Sequence, residues 1–285
     1  MSNFRQDPVP EIEPIVRSLG VSLPCGHRFP EHEHDWAQLI YPAHGVLVVE
    51  AANTQWVVPP LRCLWIPAGI RHRVETIGDV GMRTVYLRPE RTGDLATTLR
   101  VLDVSPLMRE LLIEIVRLGA LRIENDDHRS LECLILAQAR NATPLGLVLT
   151  LPVDPRARIV ADRVCHALRA GGEDHQTLAE FTRGSGASPR TAERLFLRET
   201  GMSFGRWRQQ ARLQFAVRRL GEGADVTTVA LECGYQSVSA FVTMFRRSLG
   251  STPGQYGLIQ KPASPISNRP SQKQRRRVLE NGRGV

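Results

Sequence analysis

The sequence lacks any stretch suited to crossing a membrane or directing secretion. No apolar run approaches the roughly 18 residues that a membrane-spanning helix needs. The N-terminal stretch MSNFRQDPVPEIEPIV has no apolar segment of the kind that forms a signal peptide. We therefore expect no membrane-bound part and a cytoplasmic location.

Cysteine is scarce as well. The 285 residues include five cysteines, an odd number, and no two of them form a CxxC pair. A disulfide framework uses an even number of cysteines and a structural zinc cluster uses closely spaced pairs, so neither is expected to organise the fold. The cysteines are interpreted as small core residues of a protein in a reducing compartment.

Acidic residues are few in the second half of the chain. Residues 151–285 hold 22 Lys and Arg against 11 Asp and Glu, a net charge of +11. Residues 1–150 hold 15 against 18, a net charge of −3, within a total of +8. A basic half joined to a slightly acidic half is typical of a nucleic-acid-binding module attached to another domain.

The basic half contains a pattern that occurs twice, 49 positions apart. The matched pairs are Ser188 and Ser237, Ala192 and Phe241, Leu195 and Met244, Phe196 and Phe245, Arg198 and Arg247, and Gly201 and Gly250. In each copy a capping serine precedes apolar residues at helical spacing, and a glycine ends the pattern. A short helix, capped by Thr177 or Asp225, comes before each copy. Two helices joined by a tight turn form a helix-turn-helix, whose second helix can enter the DNA major groove, so the sequence predicts a tandem helix-turn-helix.

This half resembles the DNA-binding region of the AraC/XylS family of bacterial transcription regulators. The motifs that carry the resemblance are LAEFTRGSGASPRTAERLFLRETGMSFGRWRQQARLQFA and VTTVALECGYQSVSAFVTMFRRSLGSTPGQY. The resemblance covers residues 155–256 and extends more weakly to an N-terminal cupin-like sensor. It implies a regulator that binds double-stranded promoter or operator DNA, responds to a small-molecule effector, forms a homodimer and contacts RNA polymerase.

The resemblance places base contacts at Arg190 and Arg194, and the matching positions of the second recognition helix are Ser239 and Thr243. Arginine can bond O6 and N7 of guanine together, whereas short side chains suit a thymine methyl or a phosphate-dominated contact. The first unit is therefore expected to read more sequence than the second. The candidate DNA-binding residues are Ser188, Arg190, Thr191, Arg194, Arg198, Ser237, Val238, Ser239, Thr243, Arg246 and Arg247. Within this set the two capping serines also have a purely structural interpretation, and the arginines of the last turns either bind phosphate or are simply solvated.

The acidic half fits the two cupin motifs, G-x5-H-x-H-x3-E-x6-G and P-x-G-x-x-H. The matching residues are Gly26, His32, His34, Gln38 and Gly45 for the first motif and Pro67, Gly69 and His72 for the second. In metal-binding cupins the matched histidines and glutamate hold one ion, and three imidazoles suit a divalent transition metal. Gln38 replaces the glutamate and removes the anionic ligand.

We expect His32, His34, Gln38 and His72 to converge inside the domain and to bind either a divalent metal or a polar effector. The alternative is that they are ordinary polar lining of a barrel. In that case the next candidates to line an effector site are Trp36, Tyr41 and Trp65.

Changes in composition and periodicity divide the chain into five parts. Residues 1–14 are expected to be a loose N-terminus, 15–94 a cupin-like sensor barrel, 95–150 a helical linker or dimerisation region, 155–258 the tandem helix-turn-helix and 259–285 a disordered basic tail. The predicted fold class is α+β multidomain, with an N-terminal antiparallel β-barrel flanked by helices and a C-terminal all-α domain.

Two functions fit these features. The first is a transcription regulator, without enzymatic activity, whose N-terminal domain binds a small effector or a metal. The alternative is a cupin metalloenzyme fused to a DNA-binding domain. That alternative requires a catalytic metal, and the glutamine at position 38 argues against it.

Overall fold

The computed structural model describes residues 13–93, 95, 97–145, 148–170 and 176–254. The strands are β1 (Val16–Leu23), β2 (Arg28–His32), β3 (Ala37–Pro42), β4 (Val46–Ala51), β5 (Thr54–Val58), β6 (Arg62–Ile66), β7 (His72–Ile77), β8 (Val80–Leu87), β9 (Arg100–Asp103), β10 (Ala120–Leu121), β11 (Pro144–Leu145) and β12 (Val148–Thr150). The helices are α1 (Pro89–Thr92), α2 (Pro106–Leu118), α3 (Asp126–Asn141), α4 (Pro155–Arg169), α5 (Leu178–Thr182), α6 (Pro189–Thr200), α7 (Phe204–Gly221), α8 (Val226–Glu232) and α9 (Val238–Leu249). The predictions of a loose segment through residue 12 and of a tail at 259–285 lie outside the described residues.

The strands form two antiparallel sheets that pack face to face. Sheet A has the order β10-β1-β8-β3-β6-β9-β11, and sheet B has the order β12-β5-β4-β7-β2. Among the described strands no ladder joins one sheet to the other. The predicted antiparallel, sheet-rich N-terminal domain is therefore confirmed, but it is not a closed barrel and has the form of a sandwich. Short strands from residues 95–150 extend the edges of both sheets instead of closing them, which also means that this region is not purely helical.

Because side chains alternate along a strand, each sheet has an inner and an outer face. The inner core between the sheets includes Ile40, Leu64 and Ile66 from sheet A and Leu47, Val49 and Val74 from sheet B. The outer face of sheet A, with Leu39, Trp65 and Val85, is covered by α2 and α3. The outer face of sheet B, with Val46, Val48, Val57 and Ile77, joins the core of the C-terminal domain. The C-terminal helical domain is therefore packed on the N-terminal sandwich.

Helix α7 lies between the two domains. Its residues Leu213 to Val217 are all buried, which requires neighbours on every side of the helix. One side packs against α4, α6 and α8, and the other contacts β4, β5 and β12. The helix lies close against the sheet at Gly221, where a Cβ atom would lie 2.7 Å from Val46 Cγ2. Gly221 is therefore required by the packing of the helix on the sheet.

The segment that the sequence presented as a linker is fixed to both domains. Strand β12 pairs with β5 in sheet B. Trp207 of α7 donates its indole N–H to the carbonyl of Thr150 at 2.8 Å. The carboxylate of Glu199 accepts the backbone N–H groups of Val153 and Asp154 at 2.8 and 2.9 Å. These bonds hold the crossing segment in one conformation.

Candidate DNA interface and effector site

The two recognition helices, α6 and α9, are built from the same local signals. Each has twelve residues and lies exactly one repeat length from the other in sequence. The side chains of Ser188 and Ser237 cap the N-termini by accepting the N–H of the residue three positions later. Gly201 and Gly250 end the helices in the left-handed region, with φ of 70° and 73°. The predicted tandem repeat is confirmed at the level of individual caps.

Aromatic packing fixes the inner face of each recognition helix. Phe196 of α6 stacks edge-on against Phe204 and Trp207 of α7, with ring centroids 5.2 and 5.0 Å apart. Phe245 of α9 packs against Phe241 of the same helix at 5.6 Å. Both Phe196 and Phe245 are fully buried. The opposite face of each helix is left to solvent.

The outer face of α6 presents unpaired positive charge. Arg190 and Arg194 are exposed, and neither forms an ion pair within the described part of the chain. Arg198 is also exposed, but it donates to Glu199 at 2.6 Å. Thr191 is half-buried, and its hydroxyl lies 2.9 Å from that of the capping Ser188. Arg190 and Arg194, in the first two turns, are thus the side chains best placed to extend from the protein surface into solvent.

The outer face of α9 differs. Its first turns expose Val238, Ser239 and Thr243, and the Thr243 hydroxyl donates to the Ser239 carbonyl at 2.9 Å. Positive charge is confined to the last turn, where Arg246 and Arg247 are exposed and, as far as the structure describes the chain, outside any ion pair. Among the described residues, the exposed arginines outside ion pairs therefore lie in the first two turns of α6 and in the last turn of α9.

In the sensor domain the two cupin motifs converge. Strand β2 places His32 directly opposite His72 of β7. The ring centroids of these two residues are 4.4 Å apart, and His34 lies 5.1 Å from His72 and 6.1 Å from His32. His32 and His34 are half-buried, whereas His72 is fully buried. The cluster thus has an open side and a closed side.

Hydrogen bonds set the tautomer of all three histidines. Each Nδ1 atom faces a backbone carbonyl: His32 that of Pro30 at 2.8 Å, His34 that of Trp36 at 2.5 Å, and His72 that of Ile70 at 2.8 Å. A carbonyl only accepts, so Nδ1 carries the proton and Nε2 presents a lone pair. The Nε2 atom of His72 is buried and has no partner. An unpartnered buried acceptor of this kind suits a ligand that donates a hydrogen bond.

Burial keeps His72 neutral. Desolvation lowers its pKa to about 4, and the neighbouring His32 and His34 act in the same direction. An unfolded chain would have a pKa near 6.5 at this position and would take up the proton first as the pH falls. The stability that His72 contributes as a neutral residue is therefore present above about pH 6.5 and is lost as the pH falls toward 4.

Gln38 lies at the closed side of the cluster and is buried. Its Nε2 is 2.8 Å from the Thr84 hydroxyl and 3.2 Å from that of Tyr86, while its Oε1 is 3.0 Å from His34 Nε2. In this orientation the amide oxygen faces a nitrogen lone pair. Rotating the amide removes the mismatch, because its NH2 group then donates to His34 and the two hydroxyls donate to its oxygen. Gln38 therefore bridges the two hydroxyls and His34, and it orients the His34 ring.

The arrangement does not itself form a metal centre. Within the described ranges, no group of three or more His, Cys, Asp or Glu side chains is positioned to hold a metal ion. The three rings are close, but the anionic ligand of the cupin motif is absent and Gln38 already contacts two hydroxyls and His34. Metal binding by His32, His34 and His72 stays a prediction.

Two residues beside the histidine cluster were not identified from the sequence. Thr84 and Tyr86 alternate with buried apolar residues on β8, and the register Gln38 opposite Tyr86 brings them to the cluster. The signal that could have identified them is the alternation of polar and apolar residues along a buried strand.

Of the alternative lining residues, Tyr41 and Trp65 belong to the core under α2 and α3, on the outer face of sheet A. Trp36 is near the cluster and stacks against the guanidinium groups of Arg17 and Arg88.

None of the helices in the described part of the chain combines the length and apolarity needed to cross a bilayer.

Comparison with known protein families agrees with the two domains. The family described as "AraC-like ligand binding domain" matches residues 24–137, and the one described as "Helix-turn-helix domain" matches residues 181–257. The first match contains the histidine cluster, and the second contains both recognition helices.

Individual relatives align over most of the chain. It is 31% identical to the HTH-type transcriptional regulator NimR of Escherichia coli over 245 residues, which are 86% of this chain and 88% of that protein. It is 23% identical to the HTH-type transcriptional activator RhaR of Klebsiella pneumoniae, covering 80% of this chain and 87% of the relative. Superposition on the crystal structure of ToxT from Vibrio cholerae covers 87% of this chain and 100% of that one, at 10% identity and a TM-score of 0.36, too low to support an inference.

Proposed function

We propose a division of roles between the two recognition helices of this chain, which belongs to the AraC family of transcription regulators. Helix α6 supplies most of the base-specific contacts through Arg190 and Arg194. Helix α9 binds mainly phosphate through Arg246 and Arg247, with Ser239 and Thr243 making weak base contacts. The observation that carries this proposal is that the exposed, unpaired arginines lie in the first turns of α6 and in the last turn of α9.

The physical basis is the reach of the side chains. The N-terminal part of a recognition helix is the part that meets base edges in the major groove. A guanidinium there can bond a guanine at two points, whereas a serine or threonine makes at most a short single contact. A guanidinium at the helix C-terminus lies nearer the backbone and binds phosphate without reading sequence. Ser188, Thr191, Ser237, Val238 and Arg198 complete the proposed interface.

The test of this division is a sequence-preference profile of the full-length protein. Duplexes selected from a random pool by the wild-type chain are selected again by the Arg194→Ala and Arg247→Ala variants. Arg194→Ala should relax the preference at one base pair, while Arg247→Ala should leave the preferred sequence unchanged. Identical profiles for the two variants would reject the division.

We propose that the histidine cluster is the effector site of the sensor domain. The supporting observation is the buried, unpartnered Nε2 of His72 next to His32, whose Nε2 also presents a lone pair, and next to His34, whose Nε2 contacts Gln38. Such a site favours a small polar molecule that donates N–H or O–H hydrogen bonds. A divalent cation also binds nitrogen lone pairs, so it is the competing occupant of the site.

Two measurements separate these occupants. Elemental analysis of untagged protein, alongside a His32→Ala/His34→Ala double variant, should show no stoichiometric metal in either if the effector is organic. A thermal-shift screen of small polar N–H and O–H donors should find compounds that stabilise the wild type and not a His72→Leu variant. Stoichiometric metal in the wild type that is absent from the double variant would assign the site to a cation.

We also propose that the regulator acts in the cytoplasm as a homodimer that contacts RNA polymerase at the promoter. Support for the dimer comes from α2 and α3, where Leu107 is 50% exposed and Leu134 is 45% exposed. Leu107→Asp combined with Leu134→Asp should shift the mass in solution from dimer to monomer. A monomeric wild type would refute this part.

A cupin enzyme is the competing function for the sensor domain. The named relatives are transcription regulators, and the cupin carboxylate position is occupied by a neutral amide. Turnover by the full-length protein that is abolished in the His32→Ala/His34→Ala variant would support the enzyme instead.

A further inference from the structure

One buried arginine of the sensor domain reaches the second recognition helix. Arg62, the first residue of β6, is 7% exposed. Its Nη2 donates to the backbone carbonyl of Leu249, the last residue of α9, at 2.6 Å. These residues are 187 positions apart, and the bond is buried. It is a direct polar connection between the sensor domain and a helix assigned to DNA binding.

The guanidinium is fixed from the sensor side. Its Nη1 donates to the Leu61 carbonyl at 2.8 Å and to Asp103 of β9 at 2.5 Å. Strand β9 pairs with β6 in the register Arg62 opposite Asp103. Contacts within sheet A therefore fix the position of the planar guanidinium, independently of its bond to α9.

The end of α9 is a suitable partner for this cation. The last carbonyls of a helix have no partner within the helix, and they carry the negative end of the helix dipole. Gly250 caps α9 through its own N–H to the Arg246 carbonyl at 2.8 Å, which leaves the Leu249 carbonyl open to a donor from outside. A charge-assisted bond from a buried guanidinium is stronger and more directional than one from water.

The corresponding end of α6 is held differently. There, Glu199 accepts N–H groups of the crossing segment, and no sensor side chain among the described residues bonds the end of that helix. The orientation of α9 is thus tied to the sensor domain by Arg62, whereas that of α6 is tied to its own domain.

We propose that Arg62 is a positioning residue for DNA binding, which holds α9 at the angle that its half-site requires. This rests on the assignment of α9 as a DNA-contacting helix. Arg62 itself does not touch DNA, and its effect passes through the Leu249 carbonyl to the exposed face of the helix. The sensor domain is then part of the DNA-binding structure, with β6 and β9 as the elements that carry it.

The experiment uses full-length Arg62→Met, which keeps an unbranched, flexible side chain but removes the guanidinium with its charge and donors. Removal of the arginine leaves no buried charge, since Asp103 is 52% exposed. Arg62→Lys is the conservative variant, because it keeps a cation that can donate N–H hydrogen bonds. Arg117→Met is the matched control: Arg117 is an exposed arginine of α2 paired with Glu114 on the same helix.

The DNA probes are a duplex selected by the wild type and two derivatives in which one half-site or the other is scrambled. The half-site read by α6 is the one where Arg194→Ala relaxes preference. Arg62→Met should bind the intact duplex about tenfold more weakly, in line with loss of one charge-assisted bond at a helix end. On the duplex with the α9 half-site scrambled, it should bind as well as the wild type. Arg62→Lys should restore at least half of the loss, and Arg117→Met should match the wild type throughout.

Amide hydrogen exchange gives a second readout that needs no DNA. In Arg62→Met, residues at the end of α9 should exchange faster, while those of α6 keep the wild-type rate. Equal DNA affinity with unchanged exchange in α9 would overturn the proposal, as would an equal loss on the intact and scrambled duplexes, which indicates general destabilisation. If scrambling the α9 half-site does not weaken the wild type, the assignment of α9 to DNA fails instead, and the exchange data still report on the Arg62 contact.

Discussion

The first and second helix-turn-helix units share the signals that begin and end their recognition helices and one buried ring, although Phe241 occupies the core position that Ala192 has in the first unit. Their recognition helices have the same length, serine N-caps, left-handed glycine C-caps and a fully buried phenylalanine at the matched positions 196 and 245. The units differ further in residues that face solvent or a neighbouring domain. Arg190 and Arg194 are matched by Ser239 and Thr243. The end of α9 is bonded to a sensor side chain, whereas in the described part of the chain the end of α6 has no such bond. The two units thus share their caps and a core phenylalanine, and their outer faces differ.

The core comparison predicts the largest effect. Phe196→Ala and Phe245→Ala should each lower the free energy of unfolding by about 3–5 kcal/mol, because both remove a fully buried ring and leave a cavity. Urea denaturation of the full-length variants measures this. A cost below about 1 kcal/mol at either position would show that the two cores are not equivalent.

The outer faces predict an unequal effect on DNA affinity. Arg194→Ala should cost about 1–3 kcal/mol on the selected duplex, since it removes the proposed bidentate contact to a base. Thr243→Ala should cost less than about 1 kcal/mol, because the Thr243 hydroxyl is already bonded to the Ser239 carbonyl. Fluorescence anisotropy with the same duplex compares the two directly, and equal losses would remove the asymmetry on which the proposed division rests.

The caps predict a smaller and equal effect. Ser188→Ala and Ser237→Ala should each reduce stability by about 1 kcal/mol, as each leaves one backbone N–H of its helix without an acceptor. Ser239→Ala, a change of the same size two residues into α9, is the control and should be close to neutral in urea denaturation. If the control costs as much as the cap variants, capping is not the cause.

The arginines at the helix ends predict the smallest difference. Arg247→Ala should reduce the slope of log affinity against log salt by about 0.9, the value for one lost phosphate contact. Arg198→Ala, at the matched position of the first unit, should change the slope less because Arg198 already pairs with Glu199. Titrations at several salt concentrations make the comparison, and a larger change for Arg198 would reverse the assignment.

Much of the C-terminal half was predictable because its signals are local. The caps at Thr177, Ser188, Asp225 and Ser237 each act within three residues, so the spacing of serine, glycine and apolar positions is enough to place the helices. Helix α4 runs from Pro155 to Arg169, as its proline start and apolar periodicity predicted. The histidine cluster was also anticipated, from motif spacing in two separate stretches.

The sandwich was harder to predict because its pairing is non-local. The same strands can close into a barrel or divide into two sheets, and the choice depends on edge strands contributed by residues 100–150, whose two- and three-residue strands have no periodic signal of their own. The all-round burial of residues 213–217 in α7 was visible as an uninterrupted run of largely apolar residues, but which second surface covers it is not encoded locally.

The sequence by itself determined the helix-turn-helix repeat, its caps, the basic character of the DNA-binding half and the identity of the clustered histidines, because each depends on residues a few positions apart or on composition. Only the tertiary structure decided that sheet B is covered by α7, that Thr84 and Tyr86 orient Gln38, and that Arg62 meets the end of α9. Those contacts join residues dozens to nearly two hundred positions apart. Their partners are chosen by the shape and charge of whole surfaces, which exist only after the sheets and helices have packed.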